Sequence, residues 1–280
     1  MAGKIWPHWY QIACESSDKE KEVMMSDLVK QYEELEKCFR KQVKRDREQL
    51  GCDDIVYLPS FTRPSRQVDY IFVAMEPTLT DRWAGDPPNW KDGEAAVKKG
   101  KRNFMPNSRN CILHYCARKY LCRGGQTYYI TDMSKGAMQV SKANSERKKR
   151  WEEWFPLLEK ELELVAKKDA IVFAISKKVE SFLTKKQVQG RFNYRLKYLL
   201  HPGNNAAHAR KKCIAKRKTD FAKFKQTVTE KNLIEFASTI LSKEGTEWAM
   251  KSKKCIENKK LSDSEKMLIF CYKITFEGCR

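Results

Sequence analysis

Four short apolar runs recur through the middle of the chain, each bounded by residues that favour turns or helices. These runs span Tyr70 to Met75, Thr127 to Thr131, Ala170 to Ile175, and Leu196 to Leu200. Continuous apolar runs of this length are typical of strands that are buried on both faces of a sheet. Helical patterns separate the runs and span Ser108 to Leu121, Trp151 to Lys168, and Ser176 to Leu183. The alternation predicts an α/β fold, a three-layer α/β/α sandwich around a central four-stranded, mostly parallel sheet.

Further elements are indicated on either side of this alternation. Residues 17–49 carry dense alternating charges and predict an amphipathic helix. Its apolar positions recur at spacings of three and four: Val23, Met24, Leu28, Tyr32, Leu35, Phe39 and Val43. Near the C-terminus, Leu233 to Leu241 predicts a helix, whereas Met267 to Phe276 fits either a strand or a helix. We therefore expect an N-terminal helical segment packed on the core (1–50), the α/β domain (51–226) and a C-terminal packing appendage (227–280).

The formal net charge of +20 is concentrated in the middle of the chain. Residues 1–50 carry ten basic and ten acidic side chains, which cancel. Residues 95–131 carry eight Lys or Arg and residues 181–219 carry eleven, and neither stretch contains an acid. Two acid-free stretches predict an electropositive face that follows phosphates, so the expected partner is DNA or another nucleic acid. A membrane surface fits less well, because no basic amphipathic segment with an aromatic apolar face is present.

The composition favours a soluble, cytoplasmic monomer without a metal cofactor. With 280 residues, of which 41% are apolar, the chain can bury a full core. No apolar run approaches the ~18–20 residues that cross a bilayer. The ten cysteines include no Cys-x-x-Cys pair, which favours reduced thiols over a zinc ribbon or a disulfide framework. An iron–sulfur or zinc site at Cys111, Cys116 and Cys122 is the alternative.

Acidic or histidine residues follow three of the four predicted strands. Glu76-Pro77 follows the first strand, Asp132 the second, and His201-Pro202 the fourth. The carboxyl ends of parallel strands line one crevice, and the working residues of such sheets gather there. Neither Gly-x-Gly-x-x-Gly nor Gly-x-x-x-x-Gly-Lys-Ser/Thr follows the first strand, which argues against a dehydrogenase or a kinase.

These strand ends resemble the motifs of the uracil-DNA glycosylase superfamily, over roughly half of the chain from Asp69 to Arg210. Ala74-Met75-Glu76-Pro77 resembles the family motif Gly-x-(Asp/Asn)-Pro, in which the residue before proline positions the attacking water. Phe104 resembles the aromatic residue that stacks on the extruded base. The resemblance therefore implies a uracil-DNA glycosylase-like fold, with Glu76 and Phe104 in the site.

The second half of the resemblance begins in a predicted helix. The segment from Trp154-Phe155-Pro156 to Ile175 is similar to a helix and the third strand of the family, and His201-Pro202 resembles the opening of its His-Pro-Ser motif. Three residues depart from the family pattern: Ala74 stands for the first glycine, Thr78 follows the proline, and Gly203 stands for the serine. The four-cysteine iron–sulfur pattern of one subgroup is absent.

The charge distribution and the resemblance together imply a set of DNA contacts. The basic residues nearest the motifs are expected to hold the backbone, and these are Arg102, Lys135, Arg210 and Lys211. In this family the segment after His-Pro also probes the minor groove. Here that segment contains Asn204, Asn205 and His208 in place of a large apolar wedge.

Asp132 stands where the family typically has an asparagine that reads the polar edge of uracil. An amide can donate to O4 of uracil and accept from N3, whereas an ionised carboxylate can only accept. Asp132 is therefore expected to disfavour uracil and to accept from the amino group of cytosine. Two alternatives stay open: Asp132 caps the following turn, or it is protonated and reads uracil as asparagine does.

We therefore expect a monofunctional DNA glycosylase that extrudes a cytosine-type base and hydrolyses its glycosidic bond without a metal or organic cofactor. Glu76 would orient water and offset the charge on the sugar, while His201 would donate to the leaving base. Because removal of ordinary cytosine would damage a cellular genome, the expected target is a modified cytosine, for example in invading phage DNA. Uracil repair is one alternative. A non-catalytic nucleic-acid-binding module on the same fold is the other.

Overall fold

The computed structural model describes residues 18–52, 55–78, 93–107, 110–138, 143–144, 146–203 and 206–279, with side chains from residue 27 onward. Its strands are β1 (Val56–Tyr57), β2 (Val68–Ala74), β3 (Tyr128–Asp132), β4 (Gly136–Ala137), β5 (Ala166–Ile175) and β6 (Arg195–Leu199). Its helices are α1 (Asp18–Leu50), α2 (Gly93–Lys98), α3 (Cys111–Cys116) with a π-helical extension (Ala117–Leu121), α4 (Arg147–Val165), α5 (Lys177–Val188), α6 (Ala207–Ala215), α7 (Lys218–Lys225), α8 (Glu230–Leu241), α9 (Glu247–Glu257) and α10 (Asp263–Glu277). In these described ranges no helix is both long enough and apolar enough to cross a membrane.

The centre of the fold is a parallel sheet with the strand order β3-β2-β5-β6. β2 pairs with β3 on one side and with β5 on the other, and β5 pairs with β6. β1 and β4 form a separate antiparallel ribbon, which is too short to leave a pattern in the sequence. The four predicted strands, and the expected α/β fold with a four-stranded sheet between helical layers, are confirmed.

Alternate side chains of the strands enter two separate hydrophobic cores. Phe72 and Phe173 stack with ring centroids 5.1 Å apart, on the face covered by α3, α8 and α10. Ile71 and Val73 enter the other core, beneath α4 and α5. Because successive residues of a strand point to opposite faces, a strand covered on both faces needs an apolar residue at nearly every position. This requirement explains the continuous apolar runs.

β6 lies at an edge of the sheet and departs from the expectation of burial on both faces. Leu199 is its buried residue, whereas Leu196, Lys197 and Tyr198 are half-buried and Arg195 is exposed. An edge strand has less cover than a central one, so long polar side chains reach solvent there. The prediction of a fully buried strand is therefore wrong for β6, although the strand itself is correct.

The N-terminal helix α1 packs on the core along α4. Its apolar stripe is buried as the spacing predicts, at Tyr32, Leu35, Phe39 and Val43. Phe39 stacks on Trp154 of α4 with ring centroids 6.0 Å apart. The indole Nε1 of Trp154 in turn donates to Asp46 at 2.8 Å, which fixes the register of the two helices.

The C-terminal part of the chain belongs to the same core as the sheet. The ambiguous run 267–276 lies within α10, whose start is fixed by a capping box between Ser262 and Glu265. Phe276 contacts Phe72 and Phe173 with ring centroids 5.8 and 5.3 Å apart. Residues 227–279 therefore supply part of one of the helical layers that cover the sheet.

Candidate active site

The strand ends bring three of the predicted residues to one edge of the sheet. Asp132, the last residue of β3, pairs in register with Ala74, the last residue of β2, and Glu76 follows two residues later. Leu199, the last residue of β6, pairs with the end of β5, and His201 follows two residues later. With ~4.8 Å between neighbouring strands, the axes of β3 and β6 lie about 14 Å apart. Asp132, Glu76 and His201 therefore lie at the carboxyl ends of the same parallel sheet.

Asp132 is buried, with 2% of its surface exposed. Its Oδ2 accepts a hydrogen bond from Asn103 Nδ2 at 2.5 Å, whereas no described group forms a hydrogen bond to its Oδ1. Burial raises the pKa of this carboxyl to about 7, against the opposite effects of Lys135 and Asn103. A buried carboxylate oxygen without a partner costs free energy and marks a place where a ligand can donate a hydrogen bond. The bond to Asn103 also speaks against the alternative that Asp132 caps the next turn.

Lys135 lies inside the molecule rather than on a surface. Its Nζ donates to Glu161 Oε2 and to the main-chain carbonyl of Asp132, both at 2.8 Å, and it also contacts Thr131 Oγ1. Glu161 is fully buried and accepts from the Tyr129 hydroxyl as well, at 2.7 Å. The expectation that Lys135 contacts DNA is therefore corrected. Its ammonium balances a buried carboxylate 26 positions away, which the sequence around Lys135 does not reveal.

Asn103 is held in place by backbone hydrogen bonds on both sides. Its N–H donates to the carbonyl of Pro59, and its own carbonyl accepts from the N–H of Phe61, both at 2.8 Å. A fixed backbone therefore directs the Asn103 side chain at Asp132. The sequence analysis did not single out Asn103, because the contact joins residues 29 positions apart. The sequence signal that could have pointed to Asn103 is its position directly before Phe104, which was predicted to lie in the site.

Phe104 packs half-buried against the core with a φ of +58°, a left-handed conformation that costs a non-glycine residue roughly 1–2 kcal/mol. Its carbonyl bonds to His114 Nε2 at 2.6 Å. Since a carbonyl can only accept, Nε2 carries the proton, and Nδ1 accepts from the Tyr128 hydroxyl at 2.7 Å. Burial lowers the pKa of His114 to about 4, so the imidazole is neutral at physiological pH. A buried histidine that the sequence analysis missed thus holds the turn at Phe104.

Glu76 is buried after β2 and has two partners from α4. Arg147 donates to Oε1 through Nε and a terminal nitrogen, at 2.8 and 2.5 Å, and Trp151 Nε1 donates to Oε2 at 3.0 Å. Oε2 keeps a second lone pair, which is what a water-orienting role requires. Neither Arg147 nor Trp151 was predicted. The sequence signal that could have pointed to them is the basic and aromatic start of the helix, Arg147-Lys148-Lys149-Arg150-Trp151.

His201 is half-buried in the turn after β6. Its Nδ1 accepts a hydrogen bond from the N–H of Gly203 at 3.0 Å, so the neutral imidazole carries its proton on Nε2, which is then a donor. A Cβ on Gly203 would lie 2.9 Å from Nδ1. The backbone therefore approaches the ring so closely at position 203 that a side chain there would have to displace it.

Arg210 is buried beneath the His201 turn. Its guanidinium donates to the carbonyl of Gly203 at 3.0 Å and to Ser264 Oγ at 3.2 Å. The hydroxyl of Tyr272 donates to the carbonyl of Leu200 at 2.8 Å, so two residues of α10 support the turn. Because Arg210 is only 2% exposed, the expected contact with the DNA backbone is corrected. Arg210 is a support for the turn that holds His201.

The remaining predicted DNA contacts differ in their exposure. His208 and Lys211 are exposed on α6, shortly after the His201 turn. Arg102 is half-buried, and its guanidinium donates to two backbone carbonyls near the end of α2, at 3.0 and 2.8 Å. Asn204 and Asn205 lie outside the described residues.

The three cysteines that suggested a metal site are thiols in or next to α3. Cys111 and Cys116 are buried, and Cys122 is half-buried after the π-helical turn. Burial raises the pKa of Cys111 and of Cys122 to about 12, and that of Cys116 well above its ordinary value. Within the ranges that the structure covers, no group of three His, Cys, Asp or Glu is arranged to hold a metal ion.

Comparisons with known proteins give a weak structural similarity. No family model and no curated protein matches it. Wild-type SMUG2 from Pedobacter heparinus, a member of the uracil-DNA glycosylase superfamily, is similar at 17% identity and a TM-score of 0.32, over 64% of this chain and 77% of that chain. A similarity at this level assigns no function to the chain.

Proposed function

We propose that this chain is a monofunctional DNA glycosylase, which takes a cytosine-type base out of DNA, hydrolyses its glycosidic bond and leaves an abasic site. The observation that carries the proposal concerns Asp132, which ends β3 next to the end of β2. Its Oδ1 is buried, and no group of the described residues forms a hydrogen bond to it. The amino group of a base would supply the missing hydrogen bond.

The ionised carboxylate of Asp132 suits cytosine better than uracil. Oδ1 can only accept, and cytosine offers an amino group at C4 where uracil offers a carbonyl oxygen. With a pKa of about 7, Asp132 is mainly ionised at pH 8. One good polar contact to a base is worth ~1–3 kcal/mol, which corresponds to roughly 5-fold to 150-fold discrimination.

Hydrolysis builds positive charge on the sugar and negative charge on the leaving base, and this edge of the sheet offers a group for each. Glu76 would hold the attacking water through Oε2 and offset the charge on the sugar, while Arg147 and Trp151 keep its carboxylate in position. His201 would donate from Nε2 to O2 of the base as the bond breaks. No metal or organic cofactor enters this scheme.

DNA would be held by exposed polar and basic residues near the His201 turn. His208, Lys211 and Lys212 are exposed on α6, and Lys216 is exposed directly after its end. Extruding a base costs a few kcal/mol, which stacking on Phe104 would offset in part. Lys135 and Arg210 do not belong to this surface because both are buried.

The substrate is proposed to be a modified cytosine. A glycosylase that removed ordinary cytosine would destroy any cytosine-containing genome, its own included, so a substituent must distinguish the target. DNA of an invading phage with substituted cytosines fits this requirement.

An abasic-site assay on matched duplexes tests the proposal. Oligonucleotides that carry uracil, cytosine, 5-methylcytosine, 5-hydroxymethylcytosine or glucosylated 5-hydroxymethylcytosine at one position are incubated at pH 8, cleaved at abasic sites with alkali and resolved on a gel. Cleavage at a substituted cytosine, in excess of cleavage at uracil, is the expected result. Binding of all duplexes without any cleavage would instead indicate a non-catalytic binding module and would end the enzymatic proposal.

Uracil is the second candidate substrate, and the raised pKa of Asp132 is the observation that favours it. A protonated carboxyl can donate to O4 of uracil, as asparagine does. Under this alternative, uracil release rises as the pH falls from 8 to 6, while release of a cytosine-type base falls. A uracil preference that is already complete at pH 8 would exclude the cytosine assignment and would also show that Asp132 does not read uracil as a protonated carboxyl.

A further inference from the structure

We propose that Asn103 determines which atom of residue 132 faces the base, and thereby whether the site accepts or donates a hydrogen bond there. The inference rests on the proposed function and deepens it, because it names the residue that sets base specificity through Asp132. Asn103 is a positioning residue in this scheme and does not itself react.

The first argument is the fixed direction of the Asn103 amide. Its Nδ2 lies 2.5 Å from Asp132 Oδ2, and its main chain is pinned by Pro59 and Phe61. The next residue, Phe104, is held by its carbonyl bond to His114. Asn103 therefore presents a donor to residue 132 from a backbone that has little freedom to move.

The second argument is that the charged neighbours do not orient the Asp132 side chain. Lys135 from the β3–β4 turn donates to the main-chain carbonyl of Asp132 and to Glu161 of α4, not to the carboxylate of Asp132. Glu76 and Glu161 are carboxylates that raise the pKa of Asp132 and cannot donate to it when ionised. Among the described groups, Asn103 is thus the one that fixes Oδ2 and leaves Oδ1 for the base.

The role of Asn103 predicts how the variant Asp132→Asn, which replaces the carboxylate by an amide, presents its side chain to the base. In the Asp132→Asn variant, the donor on Asn103 engages the amide oxygen, so the amide nitrogen is left to face the base. The site then donates, which suits O4 of uracil. The uracil preference expected for this variant is therefore imposed by Asn103.

Exchanging the two side chains should reverse the outcome. In the double variant Asn103→Asp/Asp132→Asn, the carboxylate at position 103 accepts from the amide nitrogen at position 132. The amide oxygen then faces the base, and the site accepts again, as in the wild type. Both changes keep nearly the same volume, so the packing around them is preserved. A purely structural role of Asn103 gives no such reversal.

The test compares single-turnover excision rates at pH 8 for a substituted cytosine and for uracil in matched duplexes. Asp132→Asn is expected to lower the ratio of the two rates by roughly tenfold or more, and the double variant Asn103→Asp/Asp132→Asn is expected to recover most of it. The matched control is Asn193→Asp/Asp132→Asn. Asn193 is exposed before the amino end of β6, whereas Asp132 lies at the carboxyl end of β3. This control should therefore keep the rate ratio of the single variant Asp132→Asn. Recovery in the control, or none in the exchange variant, overturns the proposal.

A measurement on the wild-type protein separates this proposal from the proposed function and does not depend on the variants folding. One Nδ2 proton of Asn103 should resonate downfield in the NMR spectrum, exchange slowly with solvent, and shift as Asp132 titrates. If that proton behaves as expected but no base is released from any duplex, the proposed function fails although the hydrogen bond is real. If bases are released selectively and the proton is absent, Asn103 does not orient Asp132 and the inference is wrong.

Discussion

Asp132→Asn is expected to make the protein more stable at pH 8, although it changes the residue proposed to read the base. The carboxyl of Asp132 is buried, and its Oδ1 receives no hydrogen bond from the part of the chain that the structure describes. At pH 8 this group is mainly ionised, and Lys135 and Asn103 offset only part of the cost of holding its charge in the interior. An amide has nearly the same shape, keeps the contact with Asn103 through its oxygen, and carries no charge.

The size of the effect follows from the pKa of Asp132, which rises from 3.8 to about 7 on folding. Between these values the folded state binds the proton more tightly than the unfolded state, so this group's contribution to stability is greatest below pH ~4 and is lost as the pH rises to ~7. At 1.36 kcal/mol per pKa unit, the loss amounts to about 4 kcal/mol at pH 8 and about 2 kcal/mol at pH 5. Asp132→Asn removes the titration, so its stabilisation should grow with pH by about 2 kcal/mol over that range.

Urea denaturation of the wild type and of Asp132→Asn at pH 5 and pH 8 measures this difference directly. Asp46→Asn is the matched control, because Asp46 is also buried but both of its oxygens accept hydrogen bonds, from Gln42 and from Trp154. An amide there would turn a donor toward one of these donors, so the control should lose roughly 1–3 kcal/mol. A stabilisation by Asp132→Asn that is the same at both pH values, or that is absent at pH 8, would refute the reasoning.

Three further predictions concern catalysis and DNA binding. Glu76→Gln and His201→Ala should each slow excision by roughly 100-fold or more, because both residues act on charge that develops in the transition state. DNA affinity, measured by fluorescence anisotropy, should stay within about tenfold of the wild type. Undiminished turnover in both variants would show that the catalytic site lies elsewhere. Gly203→Ser should slow excision by roughly 10- to 100-fold, since its Cβ would lie 2.9 Å from His201 Nδ1 and displace the ring; an unchanged rate would show that the close approach is not needed. DNA affinity should fall steeply with salt, as expected for on the order of four to eight neutralised phosphates, and a flat plot of log K against log salt would contradict the DNA-binding surface.

The strands were predictable because burial on both faces demands a continuous apolar run. β2, β3 and β5 meet this demand, and each lies within about four residues of its predicted start and one of its predicted end. The run at 267–276 was ambiguous because a helix buried on most sides is also apolar throughout. What resolved it was the capping box of Ser262 and Glu265, a signal just outside the run.

The site was predictable only where chemistry coincides with strand ends. The positions of Asp132 and His201 follow from the parallel topology, because each residue lies at or just after the carboxyl end of a strand. Asn103, in contrast, reaches Asp132 from a loop whose course no local sequence pattern determines. Charge alone gave the wrong prediction of DNA contact for Lys135 and Arg210, because both are buried. Lys135 pairs with Glu161, and Arg210 donates to the Gly203 carbonyl and to Ser264 Oγ. A lysine opposite a buried glutamate and a lysine in solvent look alike in sequence, because the partner of Lys135 lies 26 positions away.

Local strain adds an independent reason to place a binding site at this edge of the sheet. In the described part of the chain, the non-glycine residues with positive φ are Phe104, at +58°, and Ser176, at +117°. Phe104 adjoins the Asn103–Asp132 pair, and Ser176 follows β5, between the ends of β2 and β6 in the sheet. Such conformations cost on the order of 1–3 kcal/mol each and persist where the surrounding structure holds them in place. Both strained residues thus lie at the carboxyl ends of the strands, as does Asp132 Oδ1, which accepts no hydrogen bond from the described residues. This arrangement is expected of a preorganised binding site, in which a bound ligand offsets the free-energy cost of strain and of the buried oxygen.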